Sequence, residues 1–156
     1  MFKILLVCMG NICRSPMAEG VLRAHLQRTG LGAKVSVASA GTAGAHAGEA
    51  PDNRALQVAA KRGYDLSGIR SKKIRLEDFA LYDCILAMDG DNLENLRRRC
   101  PAELHDKLHL FLEFSQVGPA DVPDPYYGNL AGFERVLELC ERGAEGVVNE
   151  MRARAL

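Results

Sequence analysis

A chain of 156 residues with 47% hydrophobic and 26% charged side chains is long enough to bury one substantial core and has the composition of an ordinary globular protein. Its 20 basic and 20 acidic residues cancel, so nothing global points to nucleic acid or a membrane surface. No apolar run approaches the ~18 residues of a membrane span, and Ile4 to Val7 is too short for a secretory leader, so a cytoplasmic location without membrane insertion is expected.

In chain order, Met1 to Val7 reads as a buried strand that runs straight into Cys8-Met9-Gly10-Asn11-Ile12-Cys13-Arg14-Ser15-Pro16. Ser15 then reads as the N-cap of a helix with Pro16 at its first position, and Met17, Val21, Leu22 and Leu26 follow helical spacing until Thr29-Gly30. Lys34 to Ala40 predicts the second strand, Asn53 to Arg62 a helix, and Leu76 to Phe79 a short helical turn. Tyr82 to Met88 predicts the third strand, and Asp89 to Arg99 a charged helix closed by Cys100-Pro101. His109 to Phe111 reads as a short fourth strand, and Pro119, Pro123 and Pro125 exclude a regular element between Gly118 and Gly128. A last helix starts near Leu130, with Phe133, Val136, Leu137, Cys140, Ala144, Val147, Val148 and Met151 on one face. Strands alternating with helices predict a parallel sheet covered on both sides, so residues 1–156 are expected to form a single α/β domain.

Five cysteines at positions 8, 13, 84, 100 and 140 are an odd number at irregular spacing. They include no Cys-x2-Cys pair and no histidine cluster accompanies them, so neither a zinc site nor a disulfide framework is expected. Reduced thiols, at least one of them reactive, fit better. Cys84, Cys100 and Cys140 sit in apolar strand or helix patterns and read as structural.

The reactive one is Cys8. In open α/β sheets ligands bind outside the carboxyl ends of the strands, which is where the loop after the first strand lies. The residues from Met9 to Cys13 let the backbone circle one tetrahedral anion between Cys8 and Arg14. Gly10 permits close approach and Asn11 tolerates a left-handed conformation. The amides from Met9 to Arg14 can point inward as a nest, the following helix adds its positive end, and Arg14 offers a planar fork to two phosphate oxygens. The same field, with the Ser15 hydroxyl, favours the thiolate of Cys8 as a nucleophile toward phosphorus. No metal or cofactor is needed. The proton for the leaving oxygen is assigned to Asp124, stiffened between Pro123 and Pro125, and Tyr126 and Tyr127 are placed to flank an aromatic ring.

The run Cys8 to Glu19 resembles the phosphate loop of the low-molecular-weight protein tyrosine phosphatases of bacterial type. Asp124-Pro125-Tyr126-Tyr127-Gly128 is similar to their acid loop, and Ser39-Ala40-Gly41-Thr42 and Ala87-Met88-Asp89 are further family marks. The resemblance implies a small doubly wound, Rossmann-like sheet of four parallel strands in order 2-1-3-4 with helices on both faces. It implies hydrolysis of phosphotyrosine and aryl phosphate monoesters through a phosphocysteine on Cys8, with Arg14 and Asp124 as the other catalytic residues. Met9, Gly10, Asn11, Ile12, Cys13, Ser15, Tyr126 and Tyr127 become the substrate-binding set. The expected partner is a phosphotyrosine-bearing protein, and the expected state a monomer or weak dimer.

For Cys13 two expectations stand: a small buried loop residue or, by resemblance to the family's adjacent cysteine pair, a reversible disulfide partner of Cys8. Ala45 and Ile69 depart from the family, which commonly has an aromatic residue at the first position and a histidine at the second. One rim wall is therefore expected to be missing, and the polar network around Asn11, Ser15 and Ser39 to be shortened. His46 reads as a loop residue with the cleft as its alternative, and Asp89 as a helix cap rather than a substrate contact. Arsenate reduction would need relay thiols near Cys84, phosphoarginine hydrolysis a polar residue where Ile12 stands, and a phosphotyrosine reader would have no use for Asp124.

Overall fold

A computed structural model describes residues 1–154. The elements run β1 (Phe2–Cys8), α1 (Arg14–Arg28), β2 (Val35–Gly41), α2 (Asn53–Lys61), α3 (Asp78–Leu81), β3 (Cys84–Ala87), α4 (Gly90–Arg99), β4 (Leu108–Leu110) and α5 (Leu130–Ala153). Short 3-10 turns, Ala102–Lys107 and Phe111–Phe114, flank β4. The four strands form one parallel sheet in the order β2-β1-β3-β4, with Ile4 opposite Val37 on one side and Cys84 on the other.

Alternation along β1 builds both halves of the core. Ile4, Leu6 and Cys8 point to a layer made by α1, α2 and α5, while Leu5 and Val7 point to a smaller one with Ile74, Phe79 and Leu96. The central strands are therefore apolar on both faces, as a parallel sheet sandwiched between helices requires. Every apolar position expected on the inner face of α5 is buried. That helix comes so close to the Phe111–Phe114 turn that a Cβ on Gly146 would lie 2.5 Å from the Phe114 backbone. Phe111, expected at the end of the fourth strand, instead begins this turn and is fully buried against α5 at Gly143.

One boundary differs in a way that matters for the site. The first helix starts at Arg14 and not after Ser15; Cys13 holds the cap position without a side-chain bond, and Pro16 is third. Proline is tolerated there because the first-turn N–H groups have no intrahelical acceptor. Ser15 does not cap the helix because its hydroxyl is engaged elsewhere, with Asn11 and Cys8. Strand order reverses between β1 and β3, so the loop leaving β1 opens at the topological switch point.

Candidate active site

Cys8 ends β1 with only 3% of its surface exposed, at the floor of a cleft of about 110 Å³. The loop turns at Asn11, whose φ of 55° is the one positive value at a non-glycine position among the described residues. Its side chain, 1% exposed, is what fixes that turn. Asn11 Oδ1 accepts from the Lys72 N–H at 3.0 Å, while Nδ2 donates to Ser15 Oγ at 2.8 Å and Ser39 Oγ at 2.9 Å. Gly41, at the end of β2, lets the loop pack there: a Cβ would sit 2.6 Å from the Met9 carbonyl.

These bonds have a direction. Ser39 donates to Glu19 Oε1 at 2.6 Å, and the other Glu19 oxygen accepts from Arg23 at 2.6 Å. The Ser39 hydroxyl hydrogen is therefore spent on a carboxylate, and its lone pair takes the Asn11 amide. Ser15 likewise accepts from that amide, so its own hydrogen points to Cys8 Sγ, 3.1 Å away. The sulfur also accepts from the Asn11 N–H at 3.3 Å. Two donors converge on the Cys8 sulfur. The polar network around Asn11, Ser15 and Ser39 runs on to Glu19, and Ile69, buried in the apolar core, adds no polar group to it.

Arg14 is 3% exposed and anchored on one side. Nη1 donates to Asp89 Oδ2 at 2.6 Å and to the Val122 carbonyl at 3.0 Å, whereas Nη2 comes only within 3.8 Å of Asp124 Oδ2. Burial works against its charge, but the bond to Asp89 and the fields of Cys8, Asp89 and Asp124 prevail and hold the guanidinium above its usual range. Asp89 does cap α4, accepting from the Asn92 N–H at 2.7 Å, yet its second oxygen orients Arg14. Cap chemistry alone hid that second role in the sequence.

The segment carrying Asp124 is tied down at several points. The Val122 N–H donates to the Met88 carbonyl at 2.7 Å, and Asp121 accepts from the Gly90 N–H at 2.9 Å. Asp124 Oδ1 accepts from the Tyr126 N–H at 3.0 Å, an Asx turn that leaves the other oxygen toward Arg14. Asp52 and Arg54, outside the expected set, join this segment to the anion loop. Arg54 donates to the carbonyls of Tyr126 at 2.9 Å and Gly128 at 3.1 Å, and Asp52 donates its N–H to the Ile12 carbonyl at 2.8 Å.

Cys8, Met9, Gly10, Asn11, Ile12, Cys13, Arg14, Asp124, Tyr126 and Tyr127 all line the cleft. Ser15 does not; fully buried behind Cys8, it touches sulfur and not the space a substrate would enter. Tyr127 is 94% exposed and meets Tyr126 edge to face at 5.0 Å. Ala45 is exposed, but the neighbouring His46 lines the cleft with its ring 6.4 Å from that of Tyr126, so the rim keeps an aromatic wall. All five cysteines are free, and burial together with Asp52 pushes the Cys13 thiol up to about 12. A larger cavity, about 570 Å³ between α1 and α5, is lined by His25, Arg28, Tyr64 and Glu141 among others and contains no thiol.

Residues 3–155 match the family described as low molecular weight phosphotyrosine protein phosphatase. A low molecular weight protein-tyrosine-phosphatase of Streptomyces coelicolor is 41% identical over 155 residues, covering 97% of this chain and 94% of the relative. The crystal structure of a protein tyrosine phosphatase from Entamoeba histolytica with Hepes in its active site superposes with a TM-score of 0.95 at 38% identity, covering 100% of both chains. Vibrio vulnificus Wzb in complex with benzylphosphonate gives a TM-score of 0.85 at 33% identity, covering 96% of this chain and 98% of that one.

Proposed function

The chain belongs to the low molecular weight phosphotyrosine protein phosphatases, and from that premise we propose that it hydrolyses phosphotyrosine and related aryl phosphate monoesters through a phosphocysteine on Cys8. The observation that carries this reading is the convergence of three groups on one cleft: a sulfur that accepts two hydrogen bonds, the free side of the Arg14 fork, and a carboxylate at its mouth. The phosphate dianion is held by the amides of the loop and by Arg14 Nη2, which is not committed to a short bond. Cys8 Sγ attacks phosphorus as the bond to the aryl oxygen breaks, and Asp124 gives its proton to that oxygen. The loop and Arg14 keep hold of the equatorial oxygens throughout. In the second half Asp124, now a carboxylate, takes a proton from water; the water oxygen bonds to phosphorus, the sulfur leaves as thiolate, and inorganic phosphate is released.

Met9, Ile12, Tyr126 and Tyr127 form the apolar flanks for the aromatic ring, supported by their place around the cleft mouth. A phosphotyrosine-bearing protein is the partner this proposal implies. Among the described residues no helix is long and apolar enough to cross a membrane, and the five free thiols suit the reducing cytoplasm proposed as its location.

The test is a pair of variants. Asp124→Ala should lose about 10²–10⁴-fold in turnover of phenyl phosphate while inorganic phosphate still binds. Cys8→Ser should abolish turnover and retain the anion. Measurable hydrolysis by Cys8→Ser at more than about a hundredth of the parent rate would refute the covalent route, since removal of a nucleophile costs far more than that.

A further inference from the structure

Rear of the acid segment, one side chain makes an unusual number of directed bonds outside the reacting set. Arg54 Nε and Nη2 form a fork onto Asp52, 3.0 Å to each carboxylate oxygen, and the Arg54 N–H caps onto the same group at 2.9 Å. With the fork so oriented, Nη2 reaches the Tyr126 carbonyl and Nη1 the Gly128 carbonyl, 2.9 and 3.1 Å away. The guanidinium lies 4.5 Å above the Phe133 ring, which belongs to the buried face of α5. Asp52 in turn donates its N–H to the Ile12 carbonyl of the anion loop.

We propose that Arg54 is a positioning residue for the proton-transfer step, the strut that sets Asp124 over Cys8 by clamping the two carbonyls just beyond it to the anion loop through Asp52. This rests on the phosphocysteine reading above. The physical reasoning is one of leverage. Asp124 is followed by Pro125, whose φ is fixed, and its carboxylate is turned by a bond from the Tyr126 N–H, so the residue whose carbonyl Arg54 grips is the one whose N–H aims the acid. The segment from Asp121 to Asn129 has no helix or strand of its own to hold it. A planar fork is needed, because Arg54 must face Asp52 with one edge and two carbonyls with its tips; a lysine ammonium meets only part of that demand. Misplacement of a reacting group by about 1 Å can cost on the order of 10²-fold in rate.

The experiment compares kcat/KM, which reports phosphocysteine formation, for a series of aryl phosphates whose phenols span a range of acidity. Arg54→Met keeps the length and the packing on Phe133 but removes every donor. It should lose about 10–100-fold with phenyl phosphate, the ester that depends on acid, and much less with esters of acidic phenols. Inhibition by inorganic phosphate should stay within about twofold, and Arg54→Lys should recover part of the loss. In the background of Asp124→Ala, adding Arg54→Met should cost little more, because the acid it aims is gone. Asp52→Asn, which loosens the fork while sparing both carbonyl contacts, provides the same comparison should Arg54→Met fail to fold. An equal loss across all leaving groups, or a full further loss in the double variant, would overturn the proposal. Because Asp124→Ala alone tests the acid, either result would leave the phosphocysteine route standing.

Discussion

Asn11 is where conformation and chemistry meet, and its replacement has a calculable cost. Asn11→Ala removes the three side-chain bonds to Ser15, Ser39 and Lys72. Ser15 and Ser39 each keep another partner, Cys8 and Glu19, so those two losses cost about 1 kcal/mol apiece. The Lys72 N–H loses its acceptor, for about another 1 kcal/mol. Alanine at a φ of 55° adds about 1–2 kcal/mol. The sum is about 4–5 kcal/mol, a large fraction of the ~5–15 kcal/mol that holds a domain together. Asn11→Gly makes the same bond losses without the left-handed penalty and should be about 1 kcal/mol more stable than Asn11→Ala. Urea unfolding of both variants reads these differences directly. Both should lose kcat/KM to a similar degree, since both lack the amide that sets the Ser15 hydroxyl on Cys8. A cost below about 1 kcal/mol for Asn11→Ala, or an Asn11→Gly no more stable than it, would refute the account of the loop.

Other consequences can be checked independently. Asp89→Asn keeps a cap for α4 but strips Arg14 of its closest counter-charge; inhibition by inorganic phosphate should weaken by about 1–2 kcal/mol, roughly 5–30-fold, with little change in thermal midpoint. Gly146→Ala forces a methyl to within 2.5 Å of the Phe114 backbone and should cost about 1–3 kcal/mol in denaturant unfolding while leaving kcat/KM intact. Burial pushes the Cys84 thiol from 9.0 up to about 12, so the folded state holds this proton more tightly than the unfolded chain. Its contribution is complete below about pH 9 and is lost as pH rises toward 12; Cys84→Ala should therefore flatten the alkaline fall in stability by up to about 1.4 kcal/mol per pH unit in that window.

The strand, anion loop and helix at the start of the chain were legible because each carries a local signal: an apolar run, a glycine and asparagine turn, and a Ser-Pro pair. The four-stranded order came from family resemblance, since periodicity alone does not rank parallel strands in space. Ser15 carries two expectations, a helix cap and a partner for Cys8, and the structure keeps only the second, because a helix that starts at Arg14 puts Ser15 inside its first turn. Glu19 ends the run that resembles the family, but its role is not legible because the first half of α1 is buried almost all round, so a polar residue there has no exposed face to announce it. Its partner Ser39 lies on another element, as do the carbonyls that Arg54 grips. Such pairs are made by the fold, and a single sequence contains no spacing that reports them. Asp89 was the intermediate case: its cap was readable, its bond to Arg14 was not.

The central claim is that phosphorus passes through Cys8. Rapid mixing of the enzyme with an aryl phosphate, followed by acid quench and peptide mass analysis, tests it most directly. The account predicts one phosphoryl group on the peptide that carries Cys8, forming as fast as the first equivalent of phenol is released. Release of phenol with no phosphoryl group on that peptide at any time point would contradict it.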